Sequence, residues 1–126
     1  MIVRSLDGIL NTERDVDWGR GHSRRLLLKR DGMGFALADT TVTAGTEVTL
    51  QYKNHVEACY VIEGTGELEF GNGQVEPIRP GLMYALDQHD RHTVRAHTDL
   101  RIVSVFNPPI EGPERHSLKP GEASSY

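Results

Sequence analysis

Two short stretches of this 126-residue chain gather side chains able to bind metals or move protons. The first is Tyr52-Lys53-Asn54-His55-Val56-Glu57, with Cys59 two residues beyond the acid. The second is Tyr84 followed at a short distance by His89-Asp90-Arg91-His92. Carboxylates and imidazoles act as general acids and bases and as ligands of divalent metals. Each of these residues also has a plain structural reading. Glu57 is then a charge at a strand entry, Tyr84 a core aromatic with its hydroxyl at the rim, and His92 a half-buried histidine satisfied by backbone. Spacing alone does not choose between the two readings. If Glu57 and Cys59 share a strand they point the same way, and a small buried thiol is the favoured role for Cys59. His22 and His97 read as surface residues, and His89 as a structural loop residue that orients a ligand or meets a neighbouring subunit. Trp18, the only tryptophan, lies in a polar stretch, where a large exposed aromatic is costly unless it covers something.

The elements that must position these groups are strands. Thirteen glycines and six prolines punctuate short runs rich in Val, Ile, Thr, Leu, Tyr and Phe, the pattern of strands joined by turns. Strands are predicted over 24–29, 35–43, 47–52, 59–63, 66–70, 74–78, 83–86, 92–96 and 100–106. Phe35 and Leu37 share a face, as do Leu100, Ile102 and Phe106, and such alternation marks a strand with one buried side. Asp31-Gly32 and Asn72-Gly73 lie between runs as hairpin turns. Without long helical stripes, this density of strands implies antiparallel sheets closed into a barrel or jelly roll. The polar stretch 7–23 reads as a loop, and the tail from about Asn107 as a mobile segment.

Length allows one domain, spanning 1–126. A net charge of −4, without long runs of one sign, argues against nucleic-acid binding. No apolar run approaches the ~20 residues that cross a bilayer, and Asp7 falls too early for a secretory signal. The lone cysteine leaves no internal disulfide and fits a reducing compartment. A soluble cytoplasmic protein is expected.

Two frames resemble the paired motifs of the cupin barrels. Gly45, Glu57 and Gly64 stand at the spacing of the first, and Pro80-Gly81 opens the second. The usual histidines are replaced by Gln51 and Lys53 in the first frame and by Tyr84 in the second. Alone, that substitution favours a metal-free cupin that binds a small solute. The flanking segments point elsewhere. Asp31-Gly32-Met33-Gly34-Phe35, the run from Tyr52 to Ala58, the run from Met83 to His92, and Val105-Phe106-Asn107-Pro108-Pro109 closely resemble the ectoine synthase family. Met1-Ile2-Val3-Arg4 and Arg25-Leu26-Leu27-Leu28-Lys29 do so too, in order and at matching spacing over nearly the whole chain.

The resemblance implies a cupin double-stranded β-helix and a catalytic iron held by Glu57, Tyr84 and His92. Their two hard oxygens and one borderline nitrogen suit Fe(II), with Mn(II) or Zn(II) as alternatives. Tyrosine, with a free pKa of about 10, ligates as phenolate only if the metal displaces its proton. Three protein ligands leave positions open, as catalytic sites do. The implied reaction closes N-γ-acetyl-L-2,4-diaminobutyrate into ectoine with loss of water, the step of a carbon–oxygen lyase. Arg25 would grip the substrate carboxylate, Trp18 would serve as a lid, and Thr40 and Tyr52 would supply hydroxyls. Glu114 and His116 match a Glu-x-His segment that contacts substrate in the family; a solvated tail is the alternative. His55 is either a substrate contact or a solvated loop residue. His55, Glu114, His116 and a metal-bound hydroxide are the candidates for general base. A homodimer is implied as well. Rival readings are the solute-binding module and a different cupin enzyme, such as a sugar epimerase or dioxygenase. Two departures from the family stand out: Ala36-Leu37-Ala38 replaces a polar-aromatic run with a histidine, and the end from Ser117 to Tyr126 lacks an acidic closing segment.

Overall fold

The computed structural model describes residues 1–118 and Tyr126. Among them are ten strands: β1 (Asp15–Asp17), β2 (His22–Leu27), β3 (Ala36–Val42), β4 (Glu47–Leu50), β5 (Val56–Glu63), β6 (Gly66–Phe70), β7 (Gln74–Ile78), β8 (Met83–Leu86), β9 (His92–Ala96) and β10 (Leu100–Asn107). Every pairing is antiparallel. β3 pairs with β10, β4 with β9, β5 with β8 and β6 with β7. That nesting is one long hairpin folded back along its length. Rolled up, it brings β10 onto β5 and β6 onto β9, giving sheets of order β1-β2-β3-β10-β5-β8 and β4-β9-β6-β7. This is the jelly-roll solution to burying one face of each of many short strands.

Strand alternation decides what enters the space between the sheets. The first sheet sends in Ala36, Val42, Val61, Leu100, Ile102 and Phe106, and the second sends in Val48, Leu50, Leu68, Val94 and Ala96. Leu100, Ile102 and Phe106 share the buried face as predicted. The phase of β3 is opposite to expectation: Ala36 and Ala38 are buried while Phe35 and Leu37 are only half-buried on the other side. The register explains it, because Ala36 lies opposite Phe106 and the phenyl ring takes the volume a larger residue at 36 would need.

The stretch 7–23 is more ordered than its polarity suggests. Ser5 caps a short helix, α1 (Leu6–Ile9), by accepting the Gly8 N–H. β1 extends the first sheet beside β2. Trp18 is buried, its indole N–H donating to the Thr41 carbonyl at 3.2 Å. Asp31 closes a 3-10 turn over Lys29–Asp31, accepting the Leu28 N–H at 2.9 Å and bonding both Arg14 and Arg4. Burial alone would raise its carboxyl, but these hydrogen bonds prevail and hold it down at about 2.

The two glycines flanking the β5–β6 connection are needed by close approach. A Cβ on Gly64, whose φ is +95°, would stand 2.1 Å from the Asp99 carbonyl oxygen, and one on Gly66 would stand 2.1 Å from that of Arg95. Real side chains do not fit at such distances, so only glycine lets β6 pack against β9 here.

Candidate active site

β5 carries Glu57 and Cys59 inward, the shared direction expected for residues two apart on a strand. The registers extend this into a row: Ser104 of β10 lies opposite Cys59 on one side and Tyr84 of β8 on the other. Phe106 lies opposite Glu57. From the facing sheet β9 contributes His92, its ring 6.3 Å from that of Tyr84 and 5.7 Å from that of Tyr52. Of the residues expected at the site, Trp18, Thr40, Tyr52, Glu57, Tyr84, His92 and His116 line one cavity. As it stands, the cavity measures about 30 Å³, room for a water or an ion.

Burial dominates the electrostatics. It pushes Glu57 up to about 7, against hydrogen bonds from Cys59 and Ser104 that act to lower it. It also drives Tyr84, Tyr52 and the Cys59 thiol well above their ordinary values. His92 is pushed down by burial, and its Nδ1–H donates to the Asp90 carbonyl at 3.1 Å. That bond fixes the tautomer and leaves Nε2 as the basic nitrogen. His116 is pushed down to about 3 by burial, then by the charges of Arg25 and His92. It therefore stays neutral at any physiological pH.

These groups fit a divalent cation on their own chemistry. Glu57 is a buried carboxylate bonded to a thiol and a hydroxyl, neither of them cationic, and burying an unpaired charge is costly. A metal would supply the missing positive charge and lower the phenol of Tyr84. Among the described residues no three His, Cys, Asp or Glu side chains form a metal-holding group, so a set of three protein ligands here would draw on Tyr84 as well as Glu57 and His92.

Arg25 is fully buried, and among the described residues its guanidinium meets no carboxylate. It donates instead to the Ser23 hydroxyl at 3.2 Å, the Glu114 carbonyl at 2.5 Å, the Gly112 carbonyl and the Tyr126 hydroxyl at 2.5 Å. Such a cation, bonded to two residues of the cavity wall, is chemically suited to be an anion seat. Other expectations fare differently. The Glu114 carboxylate accepts the Glu111 and Gly112 N–H groups at 2.7 and 3.0 Å and shapes its own turn rather than lining the cavity. His55 is pinned by its Nδ1–H to the Pro108 carbonyl at 2.6 Å and stands behind Phe106 and Tyr126. His89, at a φ of +55°, donates to the Tyr52 carbonyl and so ties the loop before β9 to the loop before β5. Ala36 and Ala38 belong to the core rather than to the cavity wall. Sequence reasoning missed Ser23, Ser104 and Tyr126. Ser104 shares the inward parity of Ile102 and Phe106 and was legible; Tyr126, the last residue of a polar tail, gave no signal. The absent acidic closing segment falls mostly on residues 119–125, outside the described ones.

The family profile described as Ectoine synthase matches residues 1–123. The chain belongs to the ectoine synthase family. An L-ectoine synthase from Desulfatibacillum aliphaticivorans is 58% identical over 119 residues, covering 92% of each chain. The crystal structure of ectoine synthase from P. lautus aligns with a TM-score of 0.86 at 55% identity, over 89% of this chain and 81% of that one. An RmlC-like cupin protein from Desulfovibrio desulfuricans, 24% identical, aligns with a TM-score of 0.61 over 87% of this chain and 99% of its own, a likeness of fold alone. Membership of the ectoine synthase family sets aside the solute-binding module and the other cupin enzymes.

Proposed function

We propose that the chain closes N-γ-acetyl-L-2,4-diaminobutyrate into ectoine, with the substrate carboxylate on Arg25 and the reacting acetamide toward Glu57, Tyr84 and His92. The observation that carries this reading is a pair of buried ionisable groups with no oppositely charged side chain bonded to them among the described residues: Arg25, which bonds Ser23 and Tyr126 of the cavity wall, and Glu57 in that wall. A substrate with an anionic end and a polarisable carbonyl complements both.

The α-amine attacks the acetamide carbon, a C–N bond forms, and the carbonyl oxygen leaves as water with the two amine protons. Glu57, Tyr84 and His92 would hold Fe(II), or another divalent metal, whose chemistry there is Lewis acidity toward the carbonyl oxygen. Arg25 fixes one end of a flexible chain so that its amine meets its own acetamide, and such orientation supplies several kcal/mol of a barrier. Trp18, Tyr52 and Phe106 wall the site with rings, keeping out water that would oppose a dehydration. His116, held neutral, orients the substrate rather than storing a proton.

Two further parts of the reading concern the whole molecule. The outer face of the first sheet exposes Tyr60 and Met83 at 50% and 58%, with Val103 and Val105 half-buried beside them. An apolar face of that kind supports a homodimer. Among the described residues no helix is long and apolar enough to cross a membrane. With the unpaired, buried Cys59, we place the enzyme in the cytoplasm.

The test is to strip the purified protein of metal, restore Fe(II) without oxygen, and measure ectoine by chromatography. Iron-dependent product, lost in Glu57→Ala and His92→Ala, is expected. No product from iron-loaded protein would sink the reading, and undiminished product without metal would sink its metal part.

A further inference from the structure

We propose that Tyr126 occupies the substrate's place when the site is empty, and that substrate must displace it to bind. The proposal rests on the synthase reading and adds a determinant of affinity to it. The Tyr126 ring stacks on Phe106 at 5.0 Å and 20° and on His116 at 4.8 Å and 28°, and lies 5.2 Å from the ring of Tyr52. Its hydroxyl takes a hydrogen bond from Arg25 at 2.5 Å, the bond that the substrate carboxylate would take. Its backbone oxygen accepts the N–H groups of Lys53 and Asn54, both at 3.0 Å, on the loop between Tyr52 and His55. One residue thus fills the anion seat with its hydroxyl and the aromatic slot with its ring.

Size makes the two occupants exclusive. With Tyr126 in place the cavity measures about 30 Å³, room for about two waters. The substrate has eleven non-hydrogen atoms by formula and needs several times that space. The apparent affinity of a site that is open only part of the time falls by the open fraction. If Tyr126 is seated nine-tenths of the time, KM is raised about tenfold. Phenol is also a weaker partner for guanidinium than carboxylate, because an ionised acceptor makes the stronger bond, so substrate can win the exchange.

The experiment compares the full chain with Tyr126→Ala and Tyr126→Phe, all iron-loaded, measuring kcat and KM for N-γ-acetyl-L-2,4-diaminobutyrate. Ectoine binding is followed in parallel by calorimetry. Tyr126→Ala is expected to lower KM by about tenfold and to tighten ectoine binding, with kcat not reduced. Tyr126→Phe, which keeps the ring but loses the hydroxyl's bonds to Arg25 and Ser23, falls between. A structural defect would not improve affinity, so the direction of the KM change separates the two. KM unchanged or raised in Tyr126→Ala, with wild type active, overturns this proposal alone, for Tyr126 is then a bystander or a wall of the occupied site. A wild-type chain that makes no ectoine overturns the synthase reading and this proposal together.

Discussion

Arg25→Ala is expected to raise KM for the acetylated diamino acid by about a hundredfold, with a smaller change in kcat. Hydrogen bonds to a charged group contribute ~1.5–3 kcal/mol each, and a two-pronged grip on a carboxylate makes two of them. The gross loss is therefore roughly 3–6 kcal/mol. The empty enzyme loses something too, because Arg25 bonds the Tyr126 hydroxyl at 2.5 Å. Subtracting about 1.5 kcal/mol for that bond leaves roughly 1.5–4.5 kcal/mol, or tenfold to about a thousandfold at ~1.4 kcal/mol per decade. Arg25→Lys keeps the charge and loses the fork, and belongs between the two. Folding must be followed alongside, since Arg25 also satisfies the carbonyls of Gly112 and Glu114. Thermal melts of Arg25→Met, which retains an apolar stem, control for that loss. The assay is steady-state kinetics on iron-loaded protein at fixed ionic strength. A folded Arg25→Ala enzyme whose KM stays within about threefold of wild type would refute the anion seat.

Metal retention should rise with pH, because the Glu57 carboxyl sits at about 7 and protons compete for it below that value. Metal analysis after dialysis at pH 6 and pH 8 should find more iron at pH 8, and Glu57→Gln should retain little at either; equal retention by wild type at both would count against Glu57 as a ligand. Asp31, held at about 2 against an ordinary 3.8, contributes stability above its unfolded pKa that disappears as pH falls through the folded one. Asp31→Asn should therefore cost about 1–2 kcal/mol near neutrality, read as a lower Tm, and the gap from wild type should close by about pH 2; a gap independent of pH would contradict the assignment. Gly66→Ala, with its Cβ 2.1 Å from a carbonyl oxygen, should lose roughly 2–4 kcal/mol in urea unfolding. Gly45→Ala, at a φ of +83° but with open space around it, should lose only about 1 kcal/mol. Equal losses would show that crowding is not what selects glycine at 66. Tyr60→Glu combined with Met83→Glu should yield monomers in sedimentation without altering the fold; a wild type already monomeric at micromolar concentration would remove the dimer.

Period-two alternation is a strong signal where one face is buried, and β6, β7, β8 and β9 begin and end where the sequence puts them. It fails where side chains are small or the element is short. β1 has three residues and two aspartates, and nothing local marks it as a strand; its pairing with β2 and the burial of Val16 and Trp18 define it. In β3 the period was visible and the phase was not. Ala36 is inside because Phe106 lies across from it, and a cross-strand partner seventy residues away cannot be read from a local run.

The site divides along the same line. Glu57, Tyr84 and His92 could be named through their family resemblance, and the fold brings them to one cavity because the nested hairpin sets β5 beside β8 and turns β9 toward both. Glu114 could be named as well, but its side chain serves the turn over 111–114. Its backbone carbonyl, which carries no residue identity, is what reaches Arg25. The tail therefore acts on the site through two groups invisible to motif reasoning, a main-chain oxygen and a tyrosine beyond the last recognisable segment. Arg25 links them, since the guanidinium that must receive a carboxylate also holds the tail. Grip on the substrate and release of the tail are then one exchange at one side chain. Weakening the contacts of Tyr126 should for that reason tighten substrate binding, whereas weakening Arg25 should loosen both.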